Sequence, residues 1–523
     1  MTILVLTLAR ATSACAQAPD SAALAAIRAE GLQHSQVMET AGWLTDVFGG
    51  RLTNSPALHQ SADWIQQRLR TWGITQSWRE SWGPFGSGWT NDLVQVRALE
   101  PSSFPIMVNV EAWTPGTKGL VRGPAVYAAD LRSRAQLAAY RGKLRGAFVL
   151  LDSAPPIAPP PLEPLATRLT AQQLLTRSWP LATRPRYVPT AADLARNDSA
   201  SAAFERERRF RDEELPRFLL AEGAVAMIGQ GTGAGGVVFL GFDGNRQGSP
   251  DPSRRALLPV LVFSTEHYGR IVRNLARGIG VTLEADVRNR FTGGNDSAYN
   301  LLAELAGADT TLEVVMLGAH LDSFHYGTGA TDNGGNVAVM MEAMRILKAA
   351  GVHLRRTVRL ALWTGEEQGM LGSAAYVVRH FGDSTHAVAP GDRVRLAAYF
   401  NLDNGAGAIR GPMVDQSAQF TTETDSTFRV WTRALRGLGL DVVSQGAGGG
   451  TDHASFYTNR QPGFQFLQDW LDYDTRTHHS NMDTFERLVP DDVRRNAVIV
   501  ASFVYLTANR DRPFPPMLPW WKR

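Results

Sequence analysis

The chain has 523 residues, 44% of them hydrophobic and 20% charged, which is enough apolar material for sizeable buried cores and two or three domains. Its 53 basic residues nearly balance 50 acids, and all but four of the basic residues are Arg, spread along the chain, so a nucleic-acid partner is not expected. The single cysteine, Cys15, excludes an intramolecular disulfide and a multi-thiolate metal site.

Residues 1–16 read as a secretory signal: Ile3 to Ala9 is a short apolar run, and Ala14-Cys15-Ala16 has the small-x-small form of a cleavage site, although a basic leader is missing. The expected location is therefore secreted or periplasmic, with a lipid anchor at Cys15 as the alternative to cleavage. No other segment reaches roughly 18 uninterrupted apolar residues, so no membrane span is expected. Leu24 to Trp72 reads as helical, with Ser61, Ala62, Trp64, Ile65, Leu69 and Trp72 on one face until Gly73. Trp78 to Leu99 reads as strand, turning at Gly83-Pro84 and Gly86-Ser87-Gly88. Residues 17–113 are taken as the first part of one domain. Residues 114–287 change character: short strands such as Ala147 to Leu151 and Val260 to Phe263 alternate with turns, and Pro155 to Pro164 excludes regular helix. This region reads as a mainly β domain inserted into the first.

Residues 288–512 complete the interrupted domain, followed by a proline-rich tail over 513–523. The runs Val314 to Leu317, Val358 to Trp363, Leu396 to Phe400 and Phe464 to Leu467 suit buried parallel strands. Val337, Met340, Met341, Met344 and Leu347 mark an amphipathic helix. The fold class is α/β, a mixed and mostly parallel sheet covered by helices on both faces. Acid and histidine clusters follow these strands: His320-Leu321-Asp322, Thr331-Asp332-Asn333-Gly334-Gly335, Thr364-Gly365-Glu366-Glu367, Asn401-Leu402-Asp403 and His478-His479-Ser480. The carboxyl ends of parallel strands are where sites form. Imidazole and carboxylate without thiolate suit zinc, manganese or cobalt. Asp332 is the candidate carboxylate for sharing between two ions. Extended backbone would point Glu366 and Glu367 in different directions, one towards metal and one towards a water as general base. Asp322 is placed to accept the second imidazole proton of His320.

The series H-x-D, G-A-x-D-N-G-G, T-G-E-E, L-D-N and H-S-x-x-D-T resembles the two-zinc exopeptidases of peptidase family M28, and residues 44–56 resemble its plasma glutamate carboxypeptidase-like branch. The inserted region resembles a protease-associated domain. The resemblance implies two Zn2+ per chain, one held by Asp332, Glu367 and His479 and the other by His320, Asp332 and Asp403. Glu366 would be the general base, Asp322 a second catalytic residue that fixes the His320 ring, and Asp483 would support His479. His478 would stand behind the ligands, and His453 of Thr451-Asp452-His453 would line the substrate pocket.

The implied activity is hydrolysis of terminal bonds in peptides or dipeptides, as an aminopeptidase or dipeptidase. The alternatives are a carboxypeptidase and a transferrin-receptor-like binding ectodomain, which would have lost ligands; here every ligand position is filled. Oligomeric state stays open, a homodimer included. The glycine run Gly231 to Gly236 is followed by an apolar strand-like stretch, not a helix, and reads as a turn rather than a dinucleotide loop.

Overall fold

Strands and helices alternate through most of the chain. The computed structural model describes residues 20–156, 164–168, 170–176, 206–239, 248–383, 385–389, 391–413, 422–444 and 450–517. The leader with Cys15, residues 157–163 of the proline-rich stretch and residues 518–523 of the tail lie outside them. The strands are β1 (Gln76–Glu100), β2 (Phe104–Pro105), β3 (Val108–Val110), β4 (Val121–Tyr127), β5 (Phe148–Leu150), β6 (Ala226–Gln230), β7 (Val260–Phe263), β8 (Thr282–Leu305), β9 (Val314–His320), β10 (Val358–Trp363), β11 (Leu396–Asn401), β12 (Ile409–Met413) and β13 (Gly463–Gln468).

Period-2 burial explains the central sheet. On β9 and β10, Val315, Leu317, Ala319, Val358, Leu360 and Leu362 enter one core, while Met316, Ala361 and Trp363 enter another on the opposite face. The first core is closed by helices Ser21–Gln33, Pro56–Thr71, Gly335–Ala349 and Pro490–Ala508, the second by Leu371–Phe381 and His453–Thr458. Strands β10, β9, β11 and β13 lie side by side and parallel, flanked by antiparallel β8 and β12. The expected α/β class with a mixed sheet is what forms. The Met-rich helix is buried on every side from Gly335 to Leu347, not on one stripe, because helices pack around it. Its polar pair survives there because Arg345 donates to Glu342 at 2.7 Å and 2.9 Å.

The long strands β1 and β8 pair along nearly their whole length, with register shifts at Ser81/Gly83, Pro84/Gly86 and Gly86/Gly88, where turns were expected. One end of β8 carries β10 and the other carries β4. From β4 the sheet continues through parallel β5, β6 and β7 to antiparallel β3. The described residues of the middle region are therefore not mainly β: parallel strands need crossovers, and helices such as Leu215–Ala221 and Thr265–Ala276 supply them. Strand β8 runs unbroken across residue 287, and β3, from before residue 114, pairs with β7. The strands thus do not break where the sequence pattern changes. Gly231 to Gly236 forms a turn, as read from the sequence.

Candidate metal centre

His320 is the last residue of β9, and Asp403 stands two residues beyond β11. Glu366 and Glu367 follow β10, and His479 lies in the connection after β13. Because these four strands are parallel neighbours, their following residues meet at one edge. Asp332 enters from the turn ahead of helix Gly335–Ala349. That turn starts at Gly329, whose φ of 62° and whose missing Cβ, which would lie 2.4 Å from the Ser323 side chain, both require glycine. Asp332 is not a helix cap: its backbone is extended (φ −133°, ψ 84°), and its carboxylate faces two histidines.

His320 Nε2 lies 3.2 Å from Asp332 Oδ1 and 3.4 Å from Asp403 Oδ1. His479 Nε2 lies 3.1 Å from Asp332 Oδ2 and 3.0 Å from Glu367 Oε2. Ligands bound at 2.0–2.1 Å in a tetrahedron stand about 3.3 Å apart, so the histidine-to-carboxylate separations match edges of a zinc site. The buried His320 Nε2, Asp332 Oδ2 and Glu367 Oε1 make no hydrogen bond among the described residues. Polar atoms buried without partners are costly, and a cation held between them satisfies them together. Ligand atoms of His320, Glu366 and Asp403, and of His320, Asp332 and Glu367, also lie within 4.8 Å of one another. The residues present therefore fit divalent metal.

The acids crowd one another. Burial pushes Glu366 well above the ordinary carboxylate range, with Asp403 and Asp452 adding to it. Burial likewise takes Glu367 to about 7, Asp483 to about 7 and Asp452 to about 8. Burial opposes protonation of the histidines, yet Asp403 and Asp332 raise His320, and Glu367 and Asp332 raise His479, well above the ordinary value. So many carboxyl groups in one dry place call for positive charge.

Several residues differ from the sequence reading in what they touch. Asp322 Oδ1 stands 3.8 Å from His320 Nδ1, too far for a hydrogen bond, and it is the main-chain carbonyl of Asp322 that accepts from His320 Nδ1 at 2.9 Å. The carboxylate instead accepts from Thr53 Oγ1 (2.8 Å) and from the backbone N–H groups of Glu366 (3.4 Å) and Glu367 (3.3 Å). Those two glutamates are not on extended backbone: Gly369 and Met370 N–H both donate to the Glu366 carbonyl, and the resulting turn brings both side chains inward. Asp483 does not reach His479; it accepts from Thr331 N–H (2.6 Å), Thr331 Oγ1 (2.8 Å) and Asp332 N–H (3.1 Å), and so fixes the shared aspartate. His453 is 1% exposed and packs edge-on to Tyr457 at the start of the short helix His453–Thr458. His478 stacks on His479 at 3.8 Å and on Tyr473 at 4.6 Å, with Nε2 3.7 Å from Asp332 Oδ2.

Two contributors went unnoticed in the sequence, Thr53 and Arg51. Arg51 is fully buried and donates to the carbonyls of Leu44, Gly49, Leu321, Thr328 and Gly329. Burial lowers its pKa to about 10, with Asp483 and Asp322 opposing that. The available signal was its place within the family-like stretch 44–56.

An open parallel sheet with acids and imidazoles gathered at its carboxyl edge defines a metallohydrolase-type domain. Residues 300–504, which hold all of those acids and imidazoles, match the model of peptidase family M28, and this part of the chain is an M28 metallopeptidase domain. Bovine carboxypeptidase Q is 27% identical over 49% of this chain and 51% of its own length. Leupeptin-inactivating enzyme 1 of Streptomyces exfoliatus is 27% identical over 46% of this chain and 54% of its own. The chain thus spans about half the length of these curated relatives. The crystal structure of a peptidase M28 precursor from Shewanella amazonensis covers 95% of this chain and 98% of its own, at TM-score 0.62 and 21% identity. A zinc aminopeptidase from Bacillus subtilis covers 90% and 93%, at TM-score 0.51 and 18% identity. Both structures share the fold. No helix among the described residues is long and apolar enough to cross a membrane.

Proposed function

We propose that this chain is a two-zinc exopeptidase that cleaves terminal bonds of peptides or dipeptides, acting as an aminopeptidase or dipeptidase. The observation that carries the reading is the division of Asp332 between two histidines, Oδ1 to His320 and Oδ2 to His479, which is what a carboxylate bridging two ions requires. Asp332, Glu367 and His479 would hold one ion and His320, Asp332 and Asp403 the other. Zinc held by these residues would supply Lewis acidity to the scissile carbonyl and make the attacking water more acidic. Glu366, whose side chain shares the site with His320 and Asp403, would take the proton of the attacking water and hand it to the leaving amine. Asp322 holds Glu366 in place through its backbone N–H. Export follows from the leader at residues 1–16.

The test is Glu366→Gln, which keeps size and the backbone contact to Asp322 but removes the base. It is expected to retain two zinc ions per chain and lose about 10²- to 10⁴-fold in kcat; undiminished turnover refutes the assignment. The carboxypeptidase reading draws on the matches to carboxypeptidase Q. Cleavage of an aminoacyl anilide against an N-blocked dipeptide separates the two: the amino-terminal reading requires the first and fails if only the second is cut.

A further inference from the structure

His479 has no strand to hold it. It lies between Asp469, which follows β13, and Asp492, in the first turn of helix Pro490–Ala508. Both of these aspartates are buried, 1% and 0% exposed. Each has a resident arginine on one oxygen: Arg410 on Asp469 Oδ1 at 2.9 Å and Arg495 on Asp492 Oδ1 at 2.6 Å. The other oxygen of each is taken by one residue from the middle of the chain. Arg168 Nη1 donates to Asp469 Oδ2 at 3.0 Å, and its Nη2 donates to Asp492 Oδ2 at 2.7 Å. A single guanidinium thus spans both roots of the segment that carries His478, His479 and Asp483.

The same arm reinforces the contact. Thr167 N–H donates to the Leu471 carbonyl at 3.3 Å, and Thr475 Oγ1 donates to the Leu165 carbonyl at 2.7 Å. Leu174 is buried with Met413, Val442 and Leu467. On the far side of His479 a second part of the middle region grips the segment. Asn481 Oδ1 accepts from Val238 N–H at 2.7 Å, Asn481 Nδ2 donates to the Gly236 carbonyl at 3.1 Å, and Phe239 bridges to Ser480. His479 is therefore held between two contacts made from outside residues 300–504.

We propose that the middle region is a brace for the metal centre, with Arg168 and Asn481 as positioning residues that fix where His479 meets Asp332 and Glu367. The proposal rests on the two-zinc reading above. Arg168 suits the task because a planar fork can bind two carboxylates at set angles, which an ammonium cannot. The resident arginines keep both aspartates paired when Arg168 is removed, so the fold survives its loss.

The experiment is chelator-competition titration of zinc on the full chain, run beside steady-state kinetics. Wild type is expected to hold two ions. Arg168→Ala should weaken one of the two about 10- to 100-fold and leave the other unchanged. Arg168→Lys should recover part of the loss, and Asn481→Ala should weaken the same ion. Arg134→Ala removes an exposed ion pair to Glu214 elsewhere in the middle region and should leave both ions at wild-type affinity. Wild-type zinc affinity in both Arg168→Ala and Asn481→Ala overturns the brace, as does equal weakening in Arg134→Ala. A wild-type chain that takes up no zinc overturns the two-zinc reading and the brace with it.

Discussion

Asp322→Asn separates two jobs that a carboxylate two residues after a ligand histidine can do. In this structure Asp322 Oδ2 accepts from Thr53 Oγ1 and the Glu367 N–H, while Oδ1 accepts from the Glu366 N–H. An asparagine of the same size keeps only one accepting oxygen. If that oxygen stays on Thr53 and Glu367, the new NH2 faces the Glu366 N–H, and a buried donor is left unmet. Such a group costs about 1–3 kcal/mol. At 1.36 kcal/mol per decade, the loss in kcat is about 5- to 150-fold if the full cost appears as displacement of Glu366. The His320 Nδ1 contact is to the main-chain carbonyl of residue 322, which the substitution leaves alone. Both zinc ions should therefore remain. The assay is kcat and KM on an aminoacyl anilide with zinc measured on the same preparation. Loss of the His320-side zinc would show that the carboxylate orients the imidazole after all, and a kcat within twofold of wild type would show that it does not hold Glu366.

Burial lowers His325 to a pKa of about 4, while its Nε2–H donates to the Val110 carbonyl at 2.7 Å. The unfolded chain, with an ordinary value near 6.5, binds this proton first, so the contribution to stability is whole above 6.5 and is lost as pH falls towards 4. Between pH 6.5 and 5 wild type should lose about 2 kcal/mol more than His325→Gln in urea unfolding, and parallel pH profiles would contradict this. Tyr399→Phe removes a hydroxyl that accepts from Trp363 Nε1 and donates to Asn401 Oδ1, both at 2.6 Å. It should cost about 1–3 kcal/mol in the same assay, and a change below 0.5 kcal/mol would mean that water fills the gap.

What the sequence made legible follows from where the residues stand. His320, Glu366, Glu367 and Asp403 come directly after apolar runs that could only be buried strands, and parallel strands deliver their following residues to one edge. What those side chains touch was less legible. Asp322 and Asp483 lie close in sequence to the histidines they were expected to support, yet both spend their oxygens on backbone N–H groups of other segments. Sequence proximity says nothing about that choice, because an irregular turn has N–H groups with no ladder partner and they compete for any buried acceptor. His453 shows a related limit: a motif fixes its place in the chain but not the face of the short helix on which it lands.

The two ligand-bearing segments that are not strand ends show how such a site is held. The Asp332 turn is fixed from the N-terminal part of the chain, where Arg51 fills the carbonyls of Leu321, Thr328 and Gly329 and stands as the buried positive charge beneath Asp332, Asp322 and Asp483. The His479 segment is fixed from the middle region by Arg168 and by the backbone of Gly236 and Val238, which Asn481 binds. His320, the last residue of β9, is fixed by the ladder itself, and the Glu366 turn just past β10 is held by Asp322. A two-ion centre tolerates little error in ligand position, because edges near 3.3 Å must be kept on both sides of one shared carboxylate. The irregular half of the centre is thus set by residues hundreds of positions away, which ties residues 300–504 to the two segments that precede them.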